Sequence, residues 1–216
     1  MFDAVAARRL MVDCQVRTAD VTDRDLIDAM LALPREHFVP AGLAEQAYLD
    51  GDIPVGGGRS LLKPMVLAKL IQAAAVRPGD RVLDVGCATG YSSAVLAKLA
   101  GSVMALEEDA KLADQAKTAL TVSGVTGVSV VSGPLPGGWP AGAPYDVIFL
   151  NGATEIVPEQ LGHQLKPDGR LAALSGSKPG KGMIYRLIEG QLVGRPVFDA
   201  AATVLPGFVA PPAFVF

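Results

Sequence analysis

The sequence predicts an α/β protein built on a doubly wound, mainly parallel sheet, and three observations carry that reading. From Arg81 onward, short apolar runs alternate with amphipathic segments at the spacing of strand–helix units. The first run opens into a turn framed by two glycines, with a helix following at once. An acidic residue closes the next run. The alternation places helices on both faces of the sheet, a helical extension before it and antiparallel strands at one edge after it.

Taken in order, residues 3–16 and 22–33 read as two helices. In the second, Thr22 is placed to cap the amino end, and Leu26, Ile27, Met30 and Leu33 share one face. Pro34, Arg35 and Glu36 end it. Segment 51–60, GDIPVGGGRS, holds four glycines and one proline and is expected to be an irregular loop. A helix opens at Pro64, a residue suited to a first turn, and runs towards Ala75. Then come a buried strand, RVLDV (81–85), the turn GCATG (86–90) and the helix YSSAVLAKLA (91–100). The strand SVMALE (102–107) leads to a helix over 109–120 that carries Leu112, Ala116 and Leu120 inward. VSVV (128–131), YDVIFL (145–150) and RLAALS (170–175) give three more strands. A helix with Val157, Leu161 and Leu165 at four-residue steps is expected before the last of them. From MIYRLIEG (183–190) onward the pattern reads as antiparallel edge strands. Residues 1–75 thus form helices and a glycine-rich loop packed on a core of residues 76–216, the two making one compact unit.

Composition narrows the function. Of 216 residues, 50% are hydrophobic, enough for a sizeable core. Lys and Arg total 19 against 22 Asp and Glu, so no basic surplus points to nucleic acid. The two cysteines, Cys14 and Cys87, lack metal-ligand spacing and read as free thiols in a reducing compartment. The opening MFDAVAARRLMVDCQVR has no signal-peptide core, and a cytoplasmic protein with no membrane partner is expected. The tail after Asp199 is uncharged, but Pro206, Gly207, Pro211 and Pro212 interrupt it, so a buried strand pair fits it better than a membrane helix.

The sharpest local signal is VLDVGCATGYSSAVLA, residues 82–97. Asp84 ends a strand, Gly86 and Gly90 frame the turn, and Cys87, Ala88 and Tyr91 complete the candidate cofactor loop. Glycine serves where the backbone turns sharply or approaches a ligand, and the helix start leaves free N–H groups there. Glu107 ends the next strand, 21 residues after Gly86, where a carboxylate reaches the hydroxyls of a ribose. Glu108 either flanks the adenosine or faces solvent. The run G-x-A-x-G lacks the third glycine of a dinucleotide fingerprint. Asp84 beside a pyrophosphate would repel it, whereas beside the amino end of a methionine moiety it is favourable. The loop therefore points to S-adenosylmethionine.

Further segments carry a family resemblance. PREHFVP (34–40), AYLDGDIPVGGG (47–58) and VSGPLPGGWPAGAPYDVIFLNGATEIVPEQLGHQLKPDGRL (131–171) resemble the protein-L-isoaspartate O-methyltransferases, over roughly residues 20–175. The resemblance implies a Rossmann-like class I methyltransferase fold and S-adenosylmethionine as donor. Its acceptor would be a peptide or protein carrying isoaspartate. It also implies an adenine side at Gly133 and Pro134, and a substrate side in the run Arg59-Ser60-Leu61-Leu62-Lys63-Pro64.

There the family has Gln, Thr, a hydrophobe and Ser. Ser60 keeps the first hydroxyl, as the candidate catalytic residue, and Leu62 replaces the second. Pro134 stands where the family has an acid, Ala88 replaces the middle glycine, and Asn151 stands for a Thr. Arg59 and Lys63 read either as substitutes that bind an acceptor carboxylate or as solvated residues at the mouth. Two alternatives stay open beside isoaspartyl methylation: another acidic substrate, and a non-catalytic adenosyl-binding homologue. Carboxyl methylation needs no base, so His37 is expected to pack at a helix edge and His163 to lie on the surface.

Overall fold

The computed structural model describes residues 2–176 and 179–211. Helix α1 (Ala4–Met11) is capped by Asp3, whose side chain accepts from the Ala6 N–H at 3.0 Å. The predicted single helix over 3–16 continues past Met11 as a π-turn, Val12–Val16, and then a short 3₁₀ turn, Arg17–Ala19. Helix α2 (Arg24–Ala32) is capped by Asp23, not by the expected Thr22. Gln72 Oε1 accepts from the N–H groups of both Thr22 and Asp23, at 2.7 and 3.0 Å, and the Asp23 carboxylate accepts from the Leu26 N–H at 3.1 Å.

The expected loop at 51–60 is a β-hairpin. Strands β1 (Ile53–Gly56) and β2 (Arg59–Leu61) pair antiparallel across Gly57 and Gly58. Both turn residues have positive φ, 57° and 69°, so the glycines make the turn without preventing the strands. Ile53 and Val55 on one strand, and Arg59 and Leu61 on the other, face inward. Helix α3 (Pro64–Ala74) follows as predicted, with Pro64 in its first turn.

The main sheet contains β3 (Arg81–Val85), β4 (Ser102–Glu107), β5 (Val128–Ser132), β6 (Tyr145–Thr154), β7 (Leu165–Ser175), β8 (Lys181–Ile188) and β9 (Gln191–Asp199). Its order is β5-β4-β3-β6-β7-β8-β9, parallel through β7 and antiparallel at the β8–β9 edge. Helices α4 (Tyr91–Leu99) and α5 (Ala110–Val122) cross between the first strands. The chain leaves β3 towards β4 and β5, then returns to β6 on the other side. The region beyond the carboxyl ends of the strands at such a reversal is where open α/β sheets bind ligands.

Central strands read as unbroken apolar runs because both faces are covered. Val82 joins a buried cluster that extends from Met11 to Ile184 and includes the N-terminal helices. Leu83 and Val85 join a second cluster with Leu106, Leu150 and Phe208. The extension is further fixed by Arg170 on β7. Its Nε donates to the Ala74 carbonyl at 2.6 Å and its Nη2 to Asp80 at 2.6 Å. Nη2 also reaches the carbonyl of Ala75, a residue held in the left-handed region at φ 48°.

Two expectations give way near the end of the chain. The helix marked by Val157, Leu161 and Leu165 is only α6 (Glu159–Gly162). Leu165 already belongs to β7, and Val157 is exposed, so the spacing joined residues of separate elements. The tail after Asp199 forms no strand pair in its described part. It makes one parallel bridge, Ala153 to Val204, closed by hydrogen bonds of 2.9 and 2.8 Å between Ala153 and the backbone of Thr203 and Leu205. Residues 212–216 lie outside the described residues. Among those described, no helix is long and apolar enough to cross a membrane.

Candidate functional site

The carboxyl ends of β3 and β4 gather the residues of the glycine-framed turn. Asp84 is completely buried. Its Oδ2 accepts from the hydroxyls of Ser92 and Ser93, at 2.7 and 2.6 Å, both on the first turn of α4. Its Oδ1 is buried without a hydrogen-bond partner. Burial pushes this carboxyl up to about 6, and the charge of Glu107 adds to the effect. The two serines and Arg59 oppose it.

Gly86 and Gly90 take positive φ, 74° and 92°. A Cβ on Gly90 would stand 3.2 Å from Ala116 of α5, so this glycine lets the turn pack on that helix. Ala88 holds φ 51° although it has a side chain, a conformation costing about 1 kcal/mol outside glycine. The Cys87 thiol is buried, and burial raises its pKa well above the ordinary value. The Thr89 hydroxyl donates to the Phe38 carbonyl at 2.5 Å, tying the turn to the segment at 34–40.

Glu107 is also fully buried, and its acceptor positions are filled. Oε2 accepts from the Ala88 N–H at 2.7 Å, and Oε1 from the N–H groups of Glu108 and Asp109 at 3.0 and 3.3 Å. Arg59 completes the set. Its Nη1 lies 3.0 and 3.1 Å from the two Glu107 oxygens, and its Nη2 donates to the Gly86 carbonyl at 2.6 Å. A Cβ on Gly86 would fall 2.6 Å from that same nitrogen. The close approach that the glycine permits is therefore made by a guanidinium. Arg59 is 5% exposed, which sets aside the reading of it as a solvated residue at the mouth.

Beside Arg59 lies a cavity of ≈ 10 Å³, lined by Asp52, Ser60, Leu62, Asn151 and Leu205. This is room for about one water. Asn151 Nδ2 donates to the Gly86 carbonyl at 3.2 Å, and Leu205 of the tail closes the cavity from above the sheet ends. Leu62 is buried, and its carbonyl accepts from Arg35 Nη2 at 2.8 Å. Lys63 is only partly buried, and its N–H donates to Asp52 Oδ1 at 2.8 Å. At the position expected to face the adenine, the Gly133 N–H donates to the Glu107 carbonyl at 3.2 Å. Trp139 lies 3.5 Å from where a Gly133 Cβ would stand. Pro134 is exposed and opens a 3₁₀ turn, and the Glu108 side chain is exposed.

Two residues are engaged away from the roles expected of them. Tyr91, placed at the cofactor by its position on the turn, is packed in the core. Phe38 meets it edge-on at 5.5 Å between ring centroids, and the guanidinium of Arg35 sits 4.6 Å above its ring. His37 is exposed instead of packed, with Nδ1 3.1 Å from Ser123 Oγ. His163 lies on the surface as expected.

Sequence reasoning passed over Ser92, Ser93, Arg35 and Trp139. The serine pair was detectable in principle, because two hydroxyls on the first turn after a buried acid are well placed to donate to it. Arg35 gave no comparable signal, since it sits beside Glu36 and His37 in a segment that reads as the end of a helix. Asp84 keeps one buried oxygen without a partner, an acceptor chemically suited to an ammonium, and Glu107 is a second buried carboxylate one strand away.

A family model described as protein-L-isoaspartate(D-aspartate) O-methyltransferase matches residues 7–181. A protein named protein-L-isoaspartate O-methyltransferase from Methylorubrum extorquens (strain PA1) is 43% identical over 198 residues, covering 92% of this chain and 85% of its own. A protein of the same name from Methanoculleus marisnigri is 38% identical over 171 residues, covering 79% and 78%. A solved structure titled protein-L-isoaspartate O-methyltransferase superposes with a TM-score of 0.80 at 26% identity, over 93% of this chain and 66% of that one. Another, from Plasmodium falciparum in complex with S-adenosyl-L-homocysteine, has a TM-score of 0.79 over 92% of this chain and 97% of that one. At 17% identity, that second likeness concerns the fold.

Proposed function

We propose that this protein, which belongs to the protein-L-isoaspartate(D-aspartate) O-methyltransferase family, methylates the free carboxylate of an isoaspartyl residue in a peptide or protein. S-adenosylmethionine is the donor. One observation carries the reading: two buried carboxylates, Asp84 and Glu107, stand on either side of a glycine-framed turn at the carboxyl end of the sheet. When bound, the donor supplies a methyl group activated by a positively charged sulfur.

The work left to the chain is positioning. Asp84, held by Ser92 and Ser93, takes the ammonium end through its open oxygen. Glu107 takes the ribose, and Gly133 with Trp139 borders the adenine. Ser60 and Asn151 flank the acceptor, and Leu62 and Leu205 supply the apolar part of the cavity wall. A carboxylate is already ionised at neutral pH, so orientation replaces base catalysis. Free thiols at Cys14 and Cys87 suit a reducing compartment, and the cytoplasm is the proposed location.

A second reading draws on Leu62 and on the Arg59–Glu107 pair. An apolar residue stands where relatives of the resembling pattern have a hydroxyl, and a guanidinium holds the ribose carboxylate. These favour slow isoaspartyl turnover, another carboxylate acceptor, or adenosyl binding without transfer. Radiolabelled methyl transfer to an isoaspartyl peptide, run beside its aspartyl twin, tests both readings. The expected result is slow labelling of the isoaspartyl peptide alone. Leu62→Ser should raise it, towards the roughly 10²-fold that one oriented hydrogen bond contributes in a transition state. Robust wild-type turnover that Leu62→Ser leaves unchanged would remove the second reading. No labelling by either protein, with the cofactor bound, would remove the first.

A further inference from the structure

We propose that Arg59 is a resident occupant of the ribose position, and that the cofactor binds only when this guanidinium leaves Glu107. The inference rests on the cofactor reading above and adds to it a residue that sets how tightly the cofactor is held.

The argument begins with acceptor capacity. A carboxylate offers about four lone-pair positions. Those of Glu107 already receive three backbone N–H groups and Arg59 Nη1, which spans both oxygens. The backbone donors belong to the turn and to the start of α5 and are fixed by the fold. Among the described residues the guanidinium is the only donor on Glu107 carried by a side chain, so it is the one able to move away. Nη1 sits between the two oxygens, on the edge of the carboxylate that two neighbouring hydroxyls would approach. Arg59 and a ribose diol are therefore alternatives at one place.

The same side chain also meets the turn. Nη2 donates to the Gly86 carbonyl at 2.6 Å and lies 2.6 Å from where a Cβ on Gly86 would be, in the approach that the glycine leaves open. Two properties make this occupation firm. Arg59 and Glu107 are 4% and 0% exposed in their side chains, so water screens the pair little. Arg59 also lies on a strand, with Leu61 beside it on the same inward face, so its backbone is anchored. Leaving requires rotation of the side chain or displacement of the hairpin, whose Gly57–Gly58 turn is exposed. A site whose competent form is a minor fraction shows an apparent Kd raised by the inverse of that fraction.

Isothermal titration with S-adenosylhomocysteine tests this on the full chain, without turnover. Arg59→Gln should bind at least about tenfold more tightly than the wild type, corresponding to a competent fraction of about one-tenth or less. Arg59→Lys keeps the charge but cannot span both carboxylate oxygens and the Gly86 carbonyl at once, so it should fall between the two. Thermal unfolding without ligand establishes that each variant is folded. If Arg59→Gln is too unstable to titrate, tighter binding by Arg59→Lys than by the wild type carries the same conclusion. Equal affinities in wild type and variants would overturn the proposal and leave the cofactor reading standing. Weaker binding by the folded variants would also overturn it, and would make Arg59 part of the grip on the cofactor. If neither folded wild type nor variants bind, the cofactor reading itself falls and takes this proposal with it.

Discussion

The two halves of the site are held in different ways. In the cofactor half, side chains and backbone amides converge on two carboxylates: Ser92 and Ser93 on Asp84, and Ala88, Glu108 and Asp109 on Glu107. In the acceptor half, the hairpin presents Ser60 and the following Leu62 to a small cavity, and the main side-chain anchor is Arg35 on the Leu62 carbonyl. The departures at Arg59 and Leu62 fall in that acceptor half. The structure adds that Arg59 belongs to both, because its backbone lies on the hairpin and its charge on Glu107. On the proposed assignment of the two halves, a change at Arg59 therefore acts on Glu107.

The severest break of this comparison is Glu107→Ala. It would leave the Arg59 guanidinium buried without its partner. Losing one member of a buried pair costs about 3–5 kcal/mol. Chemical denaturation should show that loss, with part of it recovered in Glu107→Ala/Arg59→Leu. An undiminished midpoint would mean that the two halves are not coupled through this pair.

Asp84→Asn separates stability from binding. The folded-state pKa of Asp84 is raised from 3.8 to about 6, chiefly by burial. Its contribution to stability is thus complete below about pH 4 and is lost as pH rises through about 6. At neutral pH the charged form costs roughly 2–3 kcal/mol, so Asp84→Asn should be more stable than the wild type by up to that amount. Thermal melts from pH 4 to 8 should show the gap opening across that window. The same change should weaken S-adenosylhomocysteine binding by about 1.5–3 kcal/mol, as an ionised partner is lost. A variant that is both less stable and unaltered in affinity would remove Asp84 from its proposed role.

The smallest effect is expected at the adenine end. Pro134 has φ −63° and is exposed, so aspartate fits the backbone there. Pro134→Asp should tighten S-adenosylhomocysteine binding by about 0.5–1.5 kcal/mol through one added acceptor. Weaker titration by the folded variant would show that proline itself shapes the adenine border.

What the sequence made legible followed the same division. RVLDV, SVMALE and YDVIFL stand out as strands because burial on both faces makes them nearly continuous apolar runs, and Asp84 and Glu107 stand out as acids one residue before the end of the first and at the end of the second. The hairpin reads as an irregular loop because four glycines in ten residues mask its pattern, though Ile53, Val55, Arg59 and Leu61 alternate as inward residues of a pair do. Arg59 could not be located from chain position. Its neighbour Glu107 is 48 residues away, and only the docking of β2 against the end of β4 joins them. Tyr91 shows the converse error: proximity in sequence to the turn suggested a ligand contact, while the first turn of α4 directs the ring beneath Arg35.

The clamp made by Arg170 has a consequence for the order in which this chain assembles. Its bonds to Ala74 and Ala75 span 96 and 95 residues, and such distant closures come late in folding, after the loop entropy between them has been overcome. Helix α3 and the hairpin before it emerge first during synthesis, yet their carboxyl-terminal anchor does not exist until β7 has been made. The amino-terminal third must therefore wait, with Leu67, Leu70 and Ile71 still in need of cover, for a strand encoded nearly a hundred residues downstream.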